Sequence, residues 1–267
     1  LYAFGLAESI RFVWPGVPVS AAAFIIILLV AGISLKGAGF ALKAQLPVMA
    51  LIVVSLLMLA IGALGDPVVT TSAAAPGSDP MPMTGFWVVF AVFFPAVTGI
   101  MAGLSLSGDL ADPRRAIPRG SVLATLVGFA VYLLVPILLH LGADRQALLG
   151  DPLIWTRIAA LGPWLILPGL WGAIFSSAVG SMLGAPRTLQ AMAIDRLVPR
   201  RLAGSVNAGE EPRTGMLITL GLSLGAVFLG DLNTVATVAT MFFLSVYGMV
   251  NLVAALLSTA ALLFYVF

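Results

Sequence analysis

The segment FFPAVTGIMAGLSLSGDL, residues 93–110, lies in one of the most apolar stretches of the chain and carries residues that could bind ions. Pro95 removes a backbone donor and clashes with the preceding helical turn, while Gly99 lowers the cost of unwinding. We therefore expect the helix to break here into two half-helices, at about residues 86–97 and 101–109.

A helix break within a membrane creates two kinds of site. The carbonyl groups that end the first half, with the hydroxyl of Thr98, present oxygen atoms to a cation. The N–H groups of Gly99, Ile100 and Met101 open the second half and present donors, and the positive end of a helix dipole, to an anion. Transporters with discontinuous helices use this geometry at the membrane midplane. The alternative interpretation is a proline kink whose glycines serve close helix packing.

A second candidate cation site lies in GAIFSSAVGSMLGAPR, residues 172–187. The adjacent hydroxyls of Ser176 and Ser177, with the carbonyl of Ala173, could form a small oxygen cage that suits sodium. Serine hydroxyls can equally bond back to the carbonyl four residues earlier, which is the structural alternative.

Three further polar residues lie inside apolar segments. Glu8 is an acid well within such a segment, and an intramembrane acid indicates a functional role by default. Arg11, three residues later, is its local candidate partner, and snorkelling at a helix end is the alternative. Tyr2 and Tyr247 could each donate to an anion or present oxygen to a cation, although interfacial tyrosines are common.

The composition indicates a membrane protein. Of 267 residues, 61% are hydrophobic and 9% are charged, whereas a soluble domain carries about 25% charged residues. The basic residues lie in short connectors without interleaved aromatics, so no nucleic-acid partner is expected. The chain has no cysteine and a single histidine, His140, and the serine pair has no histidine or carboxylate nearby, so we expect neither a cofactor nor enzymatic activity.

Hydropathy predicts one partial span, at about residues 1–14, and seven fuller spans. A span needs about 20 apolar residues. The fuller spans are expected near residues 18–35, 38–64, 86–108, 118–141, 163–186, 213–230 and 233–258.

Charge predicts the orientation of these spans. Ten of the thirteen Lys and Arg residues lie in alternate connectors. By the positive-inside rule, we expect loops 36–43, 109–119 and 187–213 to be cytoplasmic. The excess of Arg over Lys suggests a bacterial source. Because the chain starts and stops inside apolar segments, we expect a fragment of a longer protein.

Several motifs resemble the signature of the cation-chloride cotransporter family, within the wider amino acid–polyamine–organocation superfamily. They are FFPAVTGIMAGLSLSGDLADPRRAIPRG, SSAVGSMLGAPRTLQAMAIDRLVP, GEEPRTG and DLNTVATVATMFFLSVYGMVNL, with LYAFGLAES and LKAQLP as weaker matches. The resemblance implies an all-α integral membrane protein with discontinuous helices, built from two inverted repeats of five helices. Residues 1–267 would then form a single transporter domain that lacks the first two helices.

The resemblance also implies roles for individual residues. Three match positions that hold potassium: Tyr2, Pro95 and Thr98. Four match a chloride site: the backbone at Gly99, Ile100 and Met101, and the Tyr247 hydroxyl. Three match the sodium site of sodium-dependent members: Ala173, Ser176 and Ser177. Glu8 matches an outer-gate acid whose partner lies on the first helix of the family fold, which replaces Arg11 as its expected partner.

The motifs leave the transported cations open, because VTGIMAG resembles the potassium-chloride branch while the Ser176–Ser177 pair resembles the sodium-dependent branch. The implied function is electroneutral symport of chloride with potassium and/or sodium by alternating access. The expected location is the plasma membrane, which in a bacterium is the inner membrane.

Two alternative functions stay open: an amino-acid or polyamine permease of the same superfamily, and a non-transporting membrane scaffold or ion sensor. The expected partners are membrane lipid and the transported ions chloride, potassium and sodium, with a homodimer as a further expectation.

Overall fold

The computed structural model of the protein describes residues 1–65, 69–70, 85–99, 103, 105, 110, 112–151, 153–203 and 212–266. Its α-helices are α1 (Tyr2–Val13), α2 (Val19–Ser34), α3 (Ala38–Gly65), α4 (Phe86–Phe93), α5 (Pro113–Gly142), α6 (Arg145–Gly150), α7 (Ile154–Ile158), α8 (Pro163–Ile194), α9 (Arg213–Val227) and α10 (Leu232–Val266). Short 3-10 helices cover Phe94–Val97 and Arg200–Ala203. Within the described ranges, β pairing is limited to an isolated bridge between Val69 and Ala143, so the predicted all-α class is confirmed.

The apolar helices lie where the sequence predicts the seven fuller spans. In the part of the chain that the structure describes, four are long and apolar enough to cross a membrane: Lys43–Gly65, Pro113–Gly142, Pro163–Ile194 and Leu232–Thr259. Three are shorter: Val19–Ser34, Phe86–Val97 and Arg213–Leu229. The apolar residues after Ser258 extend α10 and do not begin another helix, because α10 continues to Val266.

The helices group into two compact units. The smaller unit comprises Met81–Gly99 and Leu229–Phe267, with Leu1. The larger unit comprises Tyr2–Pro80 and Ile100–Phe228.

In the larger unit, α3 and α8 cross closely at a small residue. Ser55 of α3 donates a hydrogen bond to the carbonyl of Leu51 in its own helix, at 2.8 Å, and to that of Leu165 in α8, at 3.0 Å. A Cβ atom at Gly169 of α8 would overlap the Ser55 hydroxyl. Glycine therefore allows the two backbones to approach until a polar side chain joins them, as is common between membrane helices.

The short helices α6 and α7 pack against the ends of α3 and α5. Ile158, which ends α7, is 2% exposed and belongs to a buried cluster with Leu59 and Leu138. The amide of Ala160 donates to the carbonyl of Met58 in α3 at 3.0 Å. This connector is therefore fixed to α3 through its backbone as well as through apolar contacts.

Gly62 of α3 should be essential for that attachment. A Cβ atom there would overlap the carbonyl oxygen of Ile158 and lie 2.7 Å from the amide nitrogen of Ala160. We expect Gly62→Ala to lower the free energy of unfolding by about 1–3 kcal/mol, because backbone atoms must move. Thermal and denaturant unfolding of the full-length protein in detergent would measure this.

Gly32→Ala in α2 is the matched control, because a Cβ atom at Gly32 meets nothing within 4 Å. Glycine is a poor helix former, so this change should leave stability unchanged or raise it slightly. Equal destabilisation by both alanines would contradict the packing explanation.

Candidate ion-binding site

The helix beginning at Phe86 breaks at the position that the sequence predicts. α4 ends at Phe93 and tightens into the 3-10 helix Phe94–Val97. Thr98 is then extended, with φ −96° and ψ 175°, and Gly99 has φ 126°. Residues that carry a side chain rarely adopt this backbone conformation, so glycine is needed at this point of the break. The predicted first half-helix, residues 86–97, is confirmed.

The break leaves a carbonyl unpaired, and α10 supplies its partner. Pro95 has no N–H to donate to the carbonyl of Ala91, four residues earlier. The hydroxyl of Thr240 donates to that carbonyl instead, at 2.6 Å, and Thr240 is 4% exposed. Thr240 therefore compensates for the hydrogen bond that the proline removes.

The carbonyl of Pro95 and the hydroxyl of Thr98 lie together at the end of the first half-helix. The Pro95 carbonyl accepts from the Thr98 hydroxyl at 2.7 Å and from the Thr98 amide at 3.2 Å. Because the hydroxyl proton is committed to Pro95, the lone pairs of the Thr98 oxygen remain available. The two oxygen atoms are thus adjacent, as the predicted cation site requires, while both lone pairs of the Pro95 carbonyl accept from Thr98 in this arrangement.

The other side of the break joins Gly99 to α10. The amide of Gly99 donates to the hydroxyl oxygen of Tyr247 at 3.3 Å. Among the described residues, the Tyr247 hydroxyl proton has no acceptor, so it can donate to an anion. Two of the predicted chloride residues are brought together here, while Ile100 and Met101 lie outside the described residues.

The face of α10 that meets the break has helical spacing. Thr240, Phe243 and Tyr247 are three and seven residues apart along the sequence, which places them on one face. The Phe243 and Tyr247 rings pack with centroids 6.1 Å apart. Sequence reasoning selected Tyr247 but missed Thr240, although this spacing and the missing Pro95 donor together could have identified it.

The predicted sodium residues share one helix, α8. Ser177 donates to the carbonyl of Ala173 at 2.8 Å, which is the back-bond expected of a serine within a helix. In this arrangement the proton of Ser177 is used, while its oxygen keeps its lone pairs. Ser176 is half-buried and has no hydrogen bond within the described part of the chain.

Tyr2 and Glu8 lie on α1, in the larger unit. Tyr2 therefore belongs to a different unit from Pro95 and Thr98, the other two predicted potassium residues. Glu8 is half-buried. The ion pairs between described residues are Asp112–Arg115 and Asp151–Arg157, so Glu8 does not pair with Arg11 there.

Comparison with known proteins decides the family. The amino acid permease family model matches residues 2–266. The chain belongs to the amino acid permease family. Solute carrier family 12 member 8 of Mus musculus is 32% identical over 270 residues, which cover 94% of this chain and 37% of that protein.

Two further relatives carry cotransporter names. Cation-chloride cotransporter 1 of Oryza sativa subsp. japonica is 37% identical over 183 residues, covering 68% of this chain and 18% of that protein. The bumetanide-sensitive sodium-(potassium)-chloride cotransporter of Manduca sexta is 34% identical over 200 residues, covering 62% of this chain and 19% of that protein. This amino acid permease family member thus spans less than two fifths of the length of these relatives.

These matches confirm the resemblance to cation-chloride cotransporters that the motifs indicate. With four helices long and apolar enough to cross a membrane, this amino acid permease family member is an integral membrane protein with an all-α transporter fold.

The hydrogen bond from Thr240 to Ala91 should stabilise the broken helix. We expect Thr240→Val to lower the free energy of unfolding by about 1–3 kcal/mol, because it leaves the Ala91 carbonyl without a partner. Thr237→Val is the control in the same helix, since among the described residues the Thr237 hydroxyl bonds only to the carbonyl of Asn233, at 2.9 Å. Denaturant unfolding in detergent would compare the two, and equal losses would refute the role of Thr240.

Proposed function

We propose that the full-length protein is a secondary active transporter that moves chloride together with potassium and/or sodium, electroneutrally and by alternating access. The observation that carries this proposal is the broken helix. Oxygen atoms of Pro95 and Thr98 lie on one side of the break, and the Gly99 amide and Tyr247 hydroxyl lie on the other. Such a break offers a cation and an anion adjacent sites.

Electrostatics explains why the two ions would travel together. A cation at Thr98 and a chloride at Gly99 would attract each other strongly, because water is largely excluded within the membrane. Each ion would then raise the affinity for the other by the same factor. Coupled transport follows if the empty or fully loaded protein changes conformation more readily than the half-loaded one.

The names of two relatives support chloride and alkali cations as the substrates: a cation-chloride cotransporter and a sodium-(potassium)-chloride cotransporter. The family name favours a second candidate, an amino-acid permease. There, the Gly99 amide would bind a substrate carboxylate and the Pro95 carbonyl its ammonium group. No enzymatic activity is part of either proposal.

We place residues 1–267 in one transporter domain of a plasma membrane, with loops 36–43, 109–119 and 187–213 in the cytoplasm. The support is the alternation of basic connectors. A bacterial inner membrane stays a prediction from composition. Glu8 is proposed as the outer-gate acid, and Tyr2 as a third potassium ligand.

Uptake of radiolabelled chloride by the full-length protein in liposomes tests the proposal. External sodium and potassium would be varied singly and together, with an amino-acid mixture as competitor. Chloride uptake that requires an alkali cation is the expected result. Amino-acid uptake without chloride uptake would establish the permease instead, and ion binding without any flux would indicate a scaffold or sensor.

Tyr247→Phe should weaken chloride dependence, because it removes the hydroxyl that faces the Gly99 amide. Hydrogen bonds to charged groups are worth about 1.5–3 kcal/mol, so the chloride concentration for half-maximal uptake should rise about tenfold or more. Tyr132→Phe in α5 is the control within another span and should leave the chloride concentration for half-maximal uptake unchanged. Wild-type chloride dependence in Tyr247→Phe would remove Tyr247 from the site.

The serine pair determines whether sodium is coupled. If Ser176 and Ser177 bind sodium, Ser176→Ala and Ser177→Ala should raise the sodium concentration for half-maximal uptake while leaving the potassium requirement intact. Ser181→Ala, an exposed serine further along α8, is the control. If both serines are structural, sodium will have no effect on the wild type and the variants will differ only in stability.

A further inference from the structure

The length of α8 indicates that the end of this helix reaches the membrane surface. Its 32 residues extend about 48 Å at 1.5 Å per residue. A bilayer with its headgroup regions is about 40–45 Å thick. Trp164, 87% exposed, lies at the first turn, as interfacial aromatics do. If Trp164 marks one interface, the residues that follow Ile194 reach headgroup level on the opposite face.

α8 ends with an arginine in a conformation that usually requires glycine. The amide of Leu197 donates to the carbonyl of Met192 at 2.9 Å, and that of Arg196 to Ala193 at 3.3 Å. This is the Schellman arrangement, whose left-handed residue is most often glycine. Here that residue is Arg196, with φ 61°. A residue other than glycine there costs folding free energy, so this position is a candidate for a functional role.

Three more arginines follow this turn in the chain, in elements that pack against α8. The 3-10 helix that begins with Arg200 and Arg201 packs against α8 and α9. α9 begins at Arg213, and its Gly215 lies against α8, where a Cβ atom would be 3.0 Å from the Cα atom of Pro186. The end of α8, the 3-10 helix and the start of α9 are therefore on the same side of the membrane.

All four residues, Arg196, Arg200, Arg201 and Arg213, are exposed, and we refer to them together as the arginine cluster. Among the described residues, none of them has a carboxylate within 4.0 Å, since the ion pairs there belong to Arg115 and Arg157. Ion pairs between described residues therefore do not neutralise the cluster. In the sequence, Asp195 adjoins Arg196, and Glu210 and Glu211 precede Arg213.

Apolar side chains lie beside the cluster. Met192 is 38% exposed, Ile194 is 50% exposed and Leu197 is 72% exposed. Basic and apolar side chains together, directly after a membrane span, match the chemistry of an interface with anionic lipid.

We propose that the arginine cluster binds the headgroup phosphates of anionic phospholipids, while Met192 and Leu197 contact the apolar boundary beneath them. The bound lipid fixes the end of α8 and the start of α9 at the membrane surface. This site is separate from the helix break, and it does not depend on which substrate the protein transports.

Binding to lipid can be measured on the full-length, delipidated protein in mixed micelles. Dioleoyl-phosphatidylglycerol would be titrated against dioleoyl-phosphatidylcholine while thermal unfolding is followed. We expect phosphatidylglycerol, but not phosphatidylcholine, to raise the unfolding temperature of the wild type. In the double variant Arg200→Gln/Arg201→Gln, the phosphatidylglycerol concentration at half-saturation should rise about fivefold for each charge removed. The control Arg11→Gln/Arg145→Gln, exposed arginines outside the cluster, should match the wild type.

Arg196→Gly separates lipid binding from a structural role. Glycine suits the left-handed turn, so this variant should unfold at the same or a higher temperature without lipid. The phosphatidylglycerol concentration at which this variant is half-saturated should nevertheless rise about fivefold. A structural role alone would leave that affinity unchanged.

Three results would overturn the proposal. The first is an equal response of the wild type to both lipids, as expected if another protein segment covers the cluster. The second is wild-type affinity in the arginine variants. The third is an equal shift with inorganic phosphate at the same concentration, which would indicate a free-anion site instead of a lipid surface.

Discussion

The smaller unit depends on one constraint: a backbone carbonyl within a membrane needs a hydrogen-bond donor. Pro95 denies that donor to Ala91, and Thr240 of α10 provides it at 2.6 Å. The first half-helix can therefore end inside the membrane without an unpaired carbonyl. Because the donor comes from a side chain of another helix, the break and α10 are energetically linked.

The same break keeps polar groups available for ligands. Gly99 donates to Tyr247 at 3.3 Å in an exposed position, a long bond that an ion could replace at modest cost. Thr98, by contrast, is held firmly to Pro95 at 2.7 Å. In the proposed site, the cation side would be rigid and the anion side replaceable, which suits a site that must both bind and release ions.

In the larger unit, polar groups join helices where small residues let the backbones approach. Ser55 reaches Leu165 because Gly169 lies opposite it, and Ala160 reaches Met58 because Gly62 leaves room for Ile158. Hydrophobic burial contributes little between helices already in lipid, so such contacts supply much of the specificity. The arginines after α8 lie at the end of that helix, where we propose that they contact the headgroups.

The sequence by itself determined the helical class, the span positions and the break after residue 97, because hydropathy and Pro and Gly conformations act locally. It also selected Tyr247, Pro95 and Thr98 as candidate ligands. Only the tertiary structure decided that Thr240 pairs with Ala91, and that Arg196 takes the left-handed turn that a glycine usually fills. The Thr240 contact joins residues 149 positions apart, and which helices meet depends on packing that no local pattern encodes.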